Sequence, residues 1–274
     1  MSKKHHLYRI NTKGPLSGQC NICGKVGRLT EDHTPPKGCG RVSQIEARSI
    51  VDRISAAGTP VSQPRRFQAG IYYRSICEQC NNLMGTKYDP VLVDLCSQVR
   101  TIANSSLLMR PMARLSTQPQ AVMRSVLGHM AAQGVDRYAK GPLTEPLRDY
   151  LLNPDAQLPQ PIRLYYWFYP YQPHVLVRDA GRLEIGTRTS LLFWLMKFFP
   201  LAFFITFNEP SDRMYSLNSL DEYGGAPFGQ VETIFLPLRP LVHAMWPEVP
   251  HENSMILYGG QALTGTPLTR IYRP

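Results

Sequence analysis

Four of the six cysteines in this 274-residue chain form two Cys-x-x-Cys pairs, and this arrangement is suited to binding a metal. The first pair is Cys20 and Cys23, and the second is Cys77 and Cys80. Four thiolates complete a tetrahedral zinc site in which each sulfur lies about 2.3 Å from the ion. The spacing therefore predicts a structural Zn²⁺ that joins two distant stretches of the chain.

The separation between the pairs is much longer than the roughly 15 to 20 residues of a compact zinc knuckle. Polar residues with catalytic potential lie inside this insertion and directly after it. Asp32 and His33 stand between the pairs, and Asn81 and Asn82 follow Cys80. An imidazole with an ordinary pKa near 6.5 is suited to take a proton from water at neutral pH. Hydrolysis beside a zinc-stabilised fold is therefore one chemistry that these residue types allow.

The order of these motifs resembles the HNH endonuclease superfamily. The resemblance is to the branch that reads CxxC, then an acidic residue plus His with a nearby Pro, then CxxCN followed by a Gly. The matching segments are CNIC at residues 20–23, EDHTPP at 31–36 and CEQCNNLMG at 77–85. This resemblance implies a ββα-metal module, in which two strands and a helix surround one catalytic divalent ion while the zinc is structural.

The resemblance also assigns roles to individual residues. It makes His33 the general base, and it makes Asp32 and Asn81 ligands of the catalytic ion; Asn82 is a weaker candidate for an indirect or backbone contact. Oxygen ligands of this kind suit Mg²⁺ or Mn²⁺. Phosphodiester hydrolysis needs an activated water, a Lewis acid at the phosphate and a positive surface that holds the backbone.

The match departs from the family pattern in two places. The middle Asn of many members would fall near Tyr72, where no Asn is present, although members of the acidic-His branch often lack it too. The insertion between the pairs is also longer than a minimal module needs. Arg65, Arg66 and Arg74 could contact a nucleic-acid backbone, but ordinary solvated arginines are an equal alternative.

The formal charge of +10 is concentrated near the N-terminus. Residues 1–100 hold 15 Lys+Arg against 7 Asp+Glu, while residues 101–274 hold 15 against 13. A concentrated positive field attracts phosphodiester backbones, so a nucleic acid is expected to dock on the first third of the chain. The alternative is that the charge only keeps the protein soluble.

The compartment and membrane relation follow from two segments. Residues 1–14 are polar and basic, without the apolar core of a signal peptide, so a cytoplasmic protein is expected. In the apolar run at residues 191–207, Lys197 and Pro200 interrupt a stretch of marginal length for crossing about 30 Å of hydrocarbon. We expect a buried core there and no membrane partner, with a spanning segment as the alternative.

Local patterns predict an order of secondary structure. Residues 44–56 have the composition of a short helix, residues 58–68 that of a loop, and residues 71–76 that of a strand. Helices are predicted after Pro90, around residues 122–130 and at 143–152. From residue 161 the pattern changes to strands, with a turn expected at Gly181.

These observations predict an α+β protein with two parts: an HNH nuclease module with a four-cysteine zinc site at residues 1–103, and an α+β domain at residues 104–274. The second domain carries no recognisable motif and is expected to regulate, sense or mediate assembly. The expected substrate is double-stranded DNA. One ββα unit cuts one strand, so double-strand cleavage favours a homodimer.

Two other interpretations of the sequence remain open. A non-catalytic zinc ribbon that binds nucleic acid would also explain the zinc ligands and the charge. Alternatively, the C-terminal region is the principal sensor or enzyme, and the nuclease module is its effector. By analogy of architecture alone, the chain looks like part of a bacterial, phage or mobile-element system, including defence against phage.

The two cysteines outside the CxxC pairs have ordinary structural roles in this prediction. Cys39 is expected to be a loop thiol, and Cys96 a buried helix thiol.

Overall fold

A computed structural model describes residues 8–40, 44–54, 60, 62–105, 111–138, 140–208 and 217–268. Helices and mostly antiparallel strands form a mixed α+β architecture, which confirms the predicted class at this level. The helices are α1 (Ile50–Ile54), α2 (Glu78–Leu83), α3 (Asp89–Ala103), α4 (Pro119–Ala132) and α5 (Thr144–Leu152). A π-helical turn, Met84–Tyr88, connects α2 to α3, so one helical segment runs from residue 78 to residue 103.

Sixteen strands occur in the described part of the chain. They are β1 (Tyr8–Arg9), β2 (Ser17–Gln19), β3 (Val26–His33), β4 (Ile45–Ser49), β5 (Ser62–Gln63), β6 (Arg65–Phe67), β7 (Tyr72–Cys77), β8 (Met112–Thr117), β9 (Arg163–Phe168), β10 (His174–Glu184), β11 (Thr189–Phe198), β12 (Leu201–Thr206), β13 (Asn218–Ser219), β14 (Glu232–Pro237), β15 (Ser254–Leu257) and β16 (Leu263–Pro267).

The largest sheet has nine strands in the order β13-β9-β12-β11-β10-β16-β4-β6, with β15 also paired to β10. Its strands β4 and β6 come from the insertion between the two cysteine pairs, and β4 pairs antiparallel with the C-terminal strand β16. The boundary predicted at residue 103 thus separates strands that share hydrogen bonds in one sheet. A hydrophobic core on one side of this sheet also draws residues from both parts.

The apolar run at residues 191–207 forms most of the hairpin β11–β12 in the middle of this sheet, as the expectation of a buried core requires. Successive side chains alternate between two cores, so aromatic residues are buried on both faces. Lys197 lies in this interior because its Nζ contacts the Glu248 carboxylate at 2.7 Å and donates to the Ala244 carbonyl at 2.7 Å. A buried ammonium is tolerated only with such partners.

The helix predicted around residues 122–130 is α4. The apolar spacing that predicts it is typical of an amphipathic helix, but every residue of α4 is buried. It packs between α3, the β3–β7 hairpin and the large sheet, so no face remains for solvent. Arg124 is satisfied there by backbone carbonyls, including that of Tyr150 at 3.0 Å and that of Ala156 at 2.9 Å. No helix in the described part of the chain has both the length and the apolar character needed to cross a membrane.

Three local predictions need correction. Residues 45–49 are a strand and Ile50–Ile54 is helical, because pairing with distant β16 decides the conformation of β4. Residues 55 and 56 of the predicted helix lie outside the described residues. The loop predicted at residues 58–68 contains strands β5 and β6. Gly181 is not a turn, because β10 continues through it and pairs it with Leu192; the irregularity is a bulge between Val177 and Ala180.

Other local predictions agree with the structure. The strand expected at residues 71–76 is β7, the helix after Pro90 is α3, and the helix expected at residues 143–152 is α5. Cys96 is a buried helix thiol, as expected. Cys39 is equally buried. It lies in a 3₁₀ turn that packs on α3, where its thiol is next to that of Cys96.

Candidate metal centre

A hairpin followed by a helix brings the two cysteine pairs together. Strand β3 pairs antiparallel with β7, and α2 begins at Glu78, the residue after β7 ends. The first pair lies in the turn that leads into β3, and the register places Leu29 of β3 opposite Cys77. Distant parts of the chain thus meet at the start of α2.

The four thiols form one cluster, in which the sulfurs of Cys20, Cys23, Cys77 and Cys80 all lie within 4.8 Å of one another. The sulfurs of Cys23 and Cys77 are 3.7 Å apart. A tetrahedral site with Zn–S bonds of about 2.3 Å places its sulfurs roughly 3.8 Å apart, so this spacing fits such an ion. The cluster could hold a structural metal such as zinc.

Local hydrogen bonds prepare Cys20 to act as a thiolate. The thiol of Cys80 and the backbone N–H groups of Cys77 (3.3 Å) and Cys23 (3.5 Å) donate to its sulfur. These bonds lower the pKa of Cys20 to about 4, although burial acts in the opposite direction. Burial raises the pKa of Cys23 to about 11. Metal binding would therefore have to displace a proton from Cys23.

The turn between Cys20 and Cys23 depends on Gly24. Its φ is +72°, a left-handed conformation that favours glycine. A Cβ at this position would also lie 2.8 Å from the ring of Tyr138. The glycine thus lets the turn close around the sulfurs while it packs on the region before α5.

Asp32 faces the interior. Its side chain is 4% exposed, and its Oδ2 lies 2.8 Å from Nδ1 of His129 on α4. The other ring nitrogen, Nε2, lies 2.9 Å from Oδ1 of Asp89, the first residue of α3. The Ser125 hydroxyl also donates to Asp89 Oδ1, at 2.7 Å. One imidazole therefore bridges two carboxylates between the hairpin and the helices.

The charges of these three groups support each other. Burial acts to lower the pKa of His129, but the two carboxylates outweigh it and raise that pKa to about 10. Burial raises the pKa of Asp32, and contact with His129 opposes the rise. For Asp89 burial also acts upward, yet His129 and Ser125 bring its pKa below the ordinary value. The protonated imidazole is thus the counter-ion of this cluster.

His33 ends β3 and points away from Asp32, to the opposite side of the strand, where it is half-buried. Its ring packs on Tyr72, with centroids 5.5 Å apart, and it makes a hydrogen bond to the Ala69 backbone. It also lines a cavity of about 40 Å³ beside Lys37. Burial, and then the charge of Lys37, lower its pKa to about 4, so the imidazole is neutral at pH 7.

Asn81 lies in α2 against the backbone of β3. Its Nδ2 donates to Thr30 Oγ1 at 3.0 Å and to the Glu31 carbonyl at 3.1 Å. Both contacts use the amide nitrogen, which leaves the amide oxygen for another partner. The helix thus brings Asn81 next to the Asp32 backbone, while the Asp32 carboxylate turns toward α4. The side chain of Asn82 is exposed.

The three arginines proposed for nucleic-acid contact have partners within the protein. Arg65 donates to the Ile10 carbonyl at 2.8 Å, and Arg74 pairs with Glu31 at 2.9 Å. Arg66 is 70% exposed and has a longer ion pair of 3.4 Å with Glu46. Of the three, Arg66 is the most open to solvent.

Sequence reasoning did not find Asp89 or His129. A histidine in a helix rich in apolar residues was a signal, because a buried imidazole needs polar partners. The identity of those partners depends on how α4 packs against β3 and α3, which local sequence does not encode. Comparison of the chain with protein families, curated proteins and solved structures found no match.

We expect the purified protein to carry about one zinc ion per chain, bound by the four thiolates. Cys77→Ser should abolish stoichiometric zinc, as measured by inductively coupled plasma mass spectrometry. Cys96→Ala is the matched control, because it also removes a cysteine thiol, but one that lies beside Cys39 and outside the cluster. Zinc retained by Cys77→Ser, or lost equally from both variants, would contradict the assignment.

His129→Ala should destabilise the fold by about 3–5 kcal/mol, because it leaves the buried Asp32 and the partly buried Asp89 carboxylates without their cation. Urea unfolding measures this loss, and exposed His243→Ala is the control, with a change within about 0.5 kcal/mol.

Folding raises the pKa of His129 from 6.5 to about 10. Its contribution is therefore complete below pH 6.5 and is lost as the pH rises through 10. An unchanged unfolding midpoint in His129→Ala would rule out this role.

Proposed function

We propose that the chain is an HNH-type endonuclease that hydrolyses phosphodiester bonds in DNA, with residues 1–103 as its nuclease module. One observation carries this proposal: the β3–β7 hairpin and α2 meet at a four-thiol cluster, and the Asn81 side chain donates a hydrogen bond to β3. The acceptor is the carbonyl of Glu31, two residues before His33. Two strands and a helix with these residues are what the motif resemblance implies. A zinc ribbon alone gives no reason for His33 to end β3 or for Asn81 to follow the second cysteine pair.

His33 is suited to be the general base. Its imidazole is neutral at pH 7, and one ring nitrogen is engaged with the Ala69 backbone, which leaves the other free to accept a proton. The adjoining cavity of about 40 Å³ has room for one water. As the water oxygen attacks phosphorus, its proton passes to His33, and the bond from phosphorus to the departing sugar oxygen breaks. The charge of Lys37 beside the ring favours the approach of a phosphate.

A divalent cation would supply a Lewis acid for the scissile phosphate. The amide oxygen of Asn81 fits such an ion, because both hydrogen bonds of that side chain use its nitrogen. Asp32 does not fit in its present contact, since its carboxylate is the counter-ion of His129. Its role as a metal ligand stays a prediction. To bind the ion, the Asp32 carboxylate would have to rotate away from His129 or coordinate the ion through its other oxygen.

The charge distribution supports DNA as the substrate, because the excess of basic residues lies in the same part of the chain as His33. Arg66 offers an exposed guanidinium for phosphate contact, whereas Arg65 and Arg74 would have to exchange their protein partners. One hairpin–helix unit provides one His33. Cleavage of both strands would therefore use two copies of the chain.

A second candidate function is a zinc-stabilised protein that binds nucleic acid without cutting it. The enclosed Asp32 carboxylate favours this candidate, because a hydrolytic metal site needs ligands open to solvent and phosphate. The four-thiol cluster would then stabilise the fold, and the basic residues of the first third of the chain would hold the nucleic acid.

Incubation of the native protein with supercoiled plasmid and Mg²⁺ separates the two candidates. We expect nicking by the native protein and a loss of about 10²- to 10⁴-fold in His33→Ala, because proton transfer is removed. His243→Ala is an exposed-histidine control and should retain full activity. Gel-shift binding should persist in His33→Ala. An intact plasmid with normal binding by the native protein would favour the non-cutting alternative.

The pH dependence of nicking tests the state of His33. The base acts when neutral, so a pKa of about 4 predicts a nearly flat kcat/KM between pH 5 and pH 7.5, with a fall only as the pH approaches 4. A histidine with the ordinary pKa of 6.5 would lose about 30-fold at pH 5. Rates measured at saturating Mg²⁺ over this range distinguish the two. A fall of that size would contradict a depressed pKa.

A further inference from the structure

A cavity of about 600 Å³ lies between α5, the β10–β11 hairpin and the first cysteine pair. Its walls are mainly apolar, with Leu147 and Leu151 from α5 facing Trp194 and Phe207. Pockets of roughly 300–1,000 Å³ with apolar walls and a few polar groups are typical of small-molecule sites. The nuclease chemistry proposed above does not use this cavity.

Two arginines among the lining residues have unused donors. Arg178 is 2% exposed, and its two terminal nitrogens bind backbone carbonyls, but its Nε has no hydrogen-bond partner among the described residues. Arg148 likewise has a buried Nη2 without one. A buried N–H group without an acceptor is costly, so an acceptor supplied by a ligand would remove that cost.

The charge balance leaves the cavity positive. Asp179 is the lining carboxylate, and its two oxygens are engaged by Trp194 Nε1 at 2.9 Å and by Arg137 at 2.7 Å. Its nearest approach to Arg178 Nε is 3.6 Å, an ion pair without a hydrogen bond. Arg148 pairs separately with the exposed Glu145, through its Nη1 at 2.9 Å. Two carboxylates thus face three guanidinium groups in and beside the cavity, which leaves one positive charge unbalanced. An anionic guest would improve this balance.

Both arginines lie at the end of the cavity next to the first cysteine pair. Arg148 Nε donates to the Ile22 carbonyl at 3.3 Å. Arg178 Nη2 donates to the Arg137 carbonyl at 2.7 Å, and the backbone N–H of Arg137 donates to Asn21 Oδ1 at 3.1 Å. Asn21 and Ile22 are the two residues between Cys20 and Cys23. A guest at this end would therefore contact the turn that carries two of the four thiols.

We propose that this cavity binds a small amphipathic monoanion, an aromatic or aliphatic carboxylate. Its apolar body lies between α5 and the β10–β11 hairpin, and its carboxylate accepts from Arg148 and Arg178. The guest touches the Cys20–Cys23 turn and so adjusts cleavage at the neighbouring hairpin. This last step rests on the proposed nuclease function, whereas the binding site does not.

Two naphthalene probes of equal shape test the site by isothermal titration calorimetry on the full chain: 2-naphthoate and the neutral 2-naphthamide. We expect 2-naphthoate to bind at least tenfold more tightly, because only it pairs with the arginines. Arg148→Met should remove that preference. Arg163→Met is the control, because Arg163 is partly exposed and pairs with Asp221 outside the cavity. Equal affinities in the native protein, or a preference that survives Arg148→Met, would overturn an anionic guest.

Gly181→Leu tests where the probes bind. A Cβ at Gly181, which lines the cavity, would meet only Leu192 at 3.6 Å within 4 Å, so the backbone accepts a side chain that fills the space. We expect binding of both probes to weaken at least tenfold, with thermal unfolding and zinc content as for the native protein. Undiminished binding in this folded variant, or no native binding of 2-naphthoate below about 1 mM, would overturn the site.

The effect on cleavage is measured separately, with plasmid nicking at saturating 2-naphthoate. A change of threefold or more in the native protein, absent in Gly181→Leu, supports coupling to the cysteine turn. Binding without any change in nicking would overturn the coupling. Binding by a native protein that never nicks DNA would refute the proposed nuclease while the anion site stands, so the two failures are distinguishable.

Discussion

The four-thiol cluster is the constraint on which the rest of the candidate site depends. It joins the turn before β3 to the first turn of α2, and these positions are separated by the whole insertion that contains β4 and β6. Without a bound ion, four sulfurs so close together would gain little from packing. A metal bound by these thiols would fix the turn before β3 to the start of α2, and it would thereby hold His33 and Asn81 in place.

The unit is not energetically separate from the remainder of the chain. The imidazole of His129 comes from α4, which the large sheet covers, and it neutralises Asp32 of the hairpin. The insertion strand β4 pairs with the C-terminal strand β16. The cavity beside the first cysteine pair is also built from α5 and β10. A signal received by the C-terminal region thus has direct contacts through which to reach the candidate site.

Sequence reasoning found features that depend on local chemistry. The CxxC pairs predict a cluster of four thiols, which the structure brings together, and the aromatic and β-branched content of residues 71–76 predicts strand β7. It failed where distant pairing decides the outcome. Residues 45–49 became a strand because β16 supplies a partner, and Asp32 turned inward because α4 supplies an imidazole. Neither partner is visible in a local window.

Zinc K-edge X-ray absorption of the purified protein tests the central constraint most directly. The geometry of the cluster, with two sulfurs 3.7 Å apart, predicts a first shell of four sulfur atoms at about 2.3 Å. A shell with nitrogen or oxygen atoms, or with fewer than four sulfurs, would contradict it. In that case a zinc ion would not join the two cysteine pairs, and the positions of His33 and Asn81 would lose this physical basis.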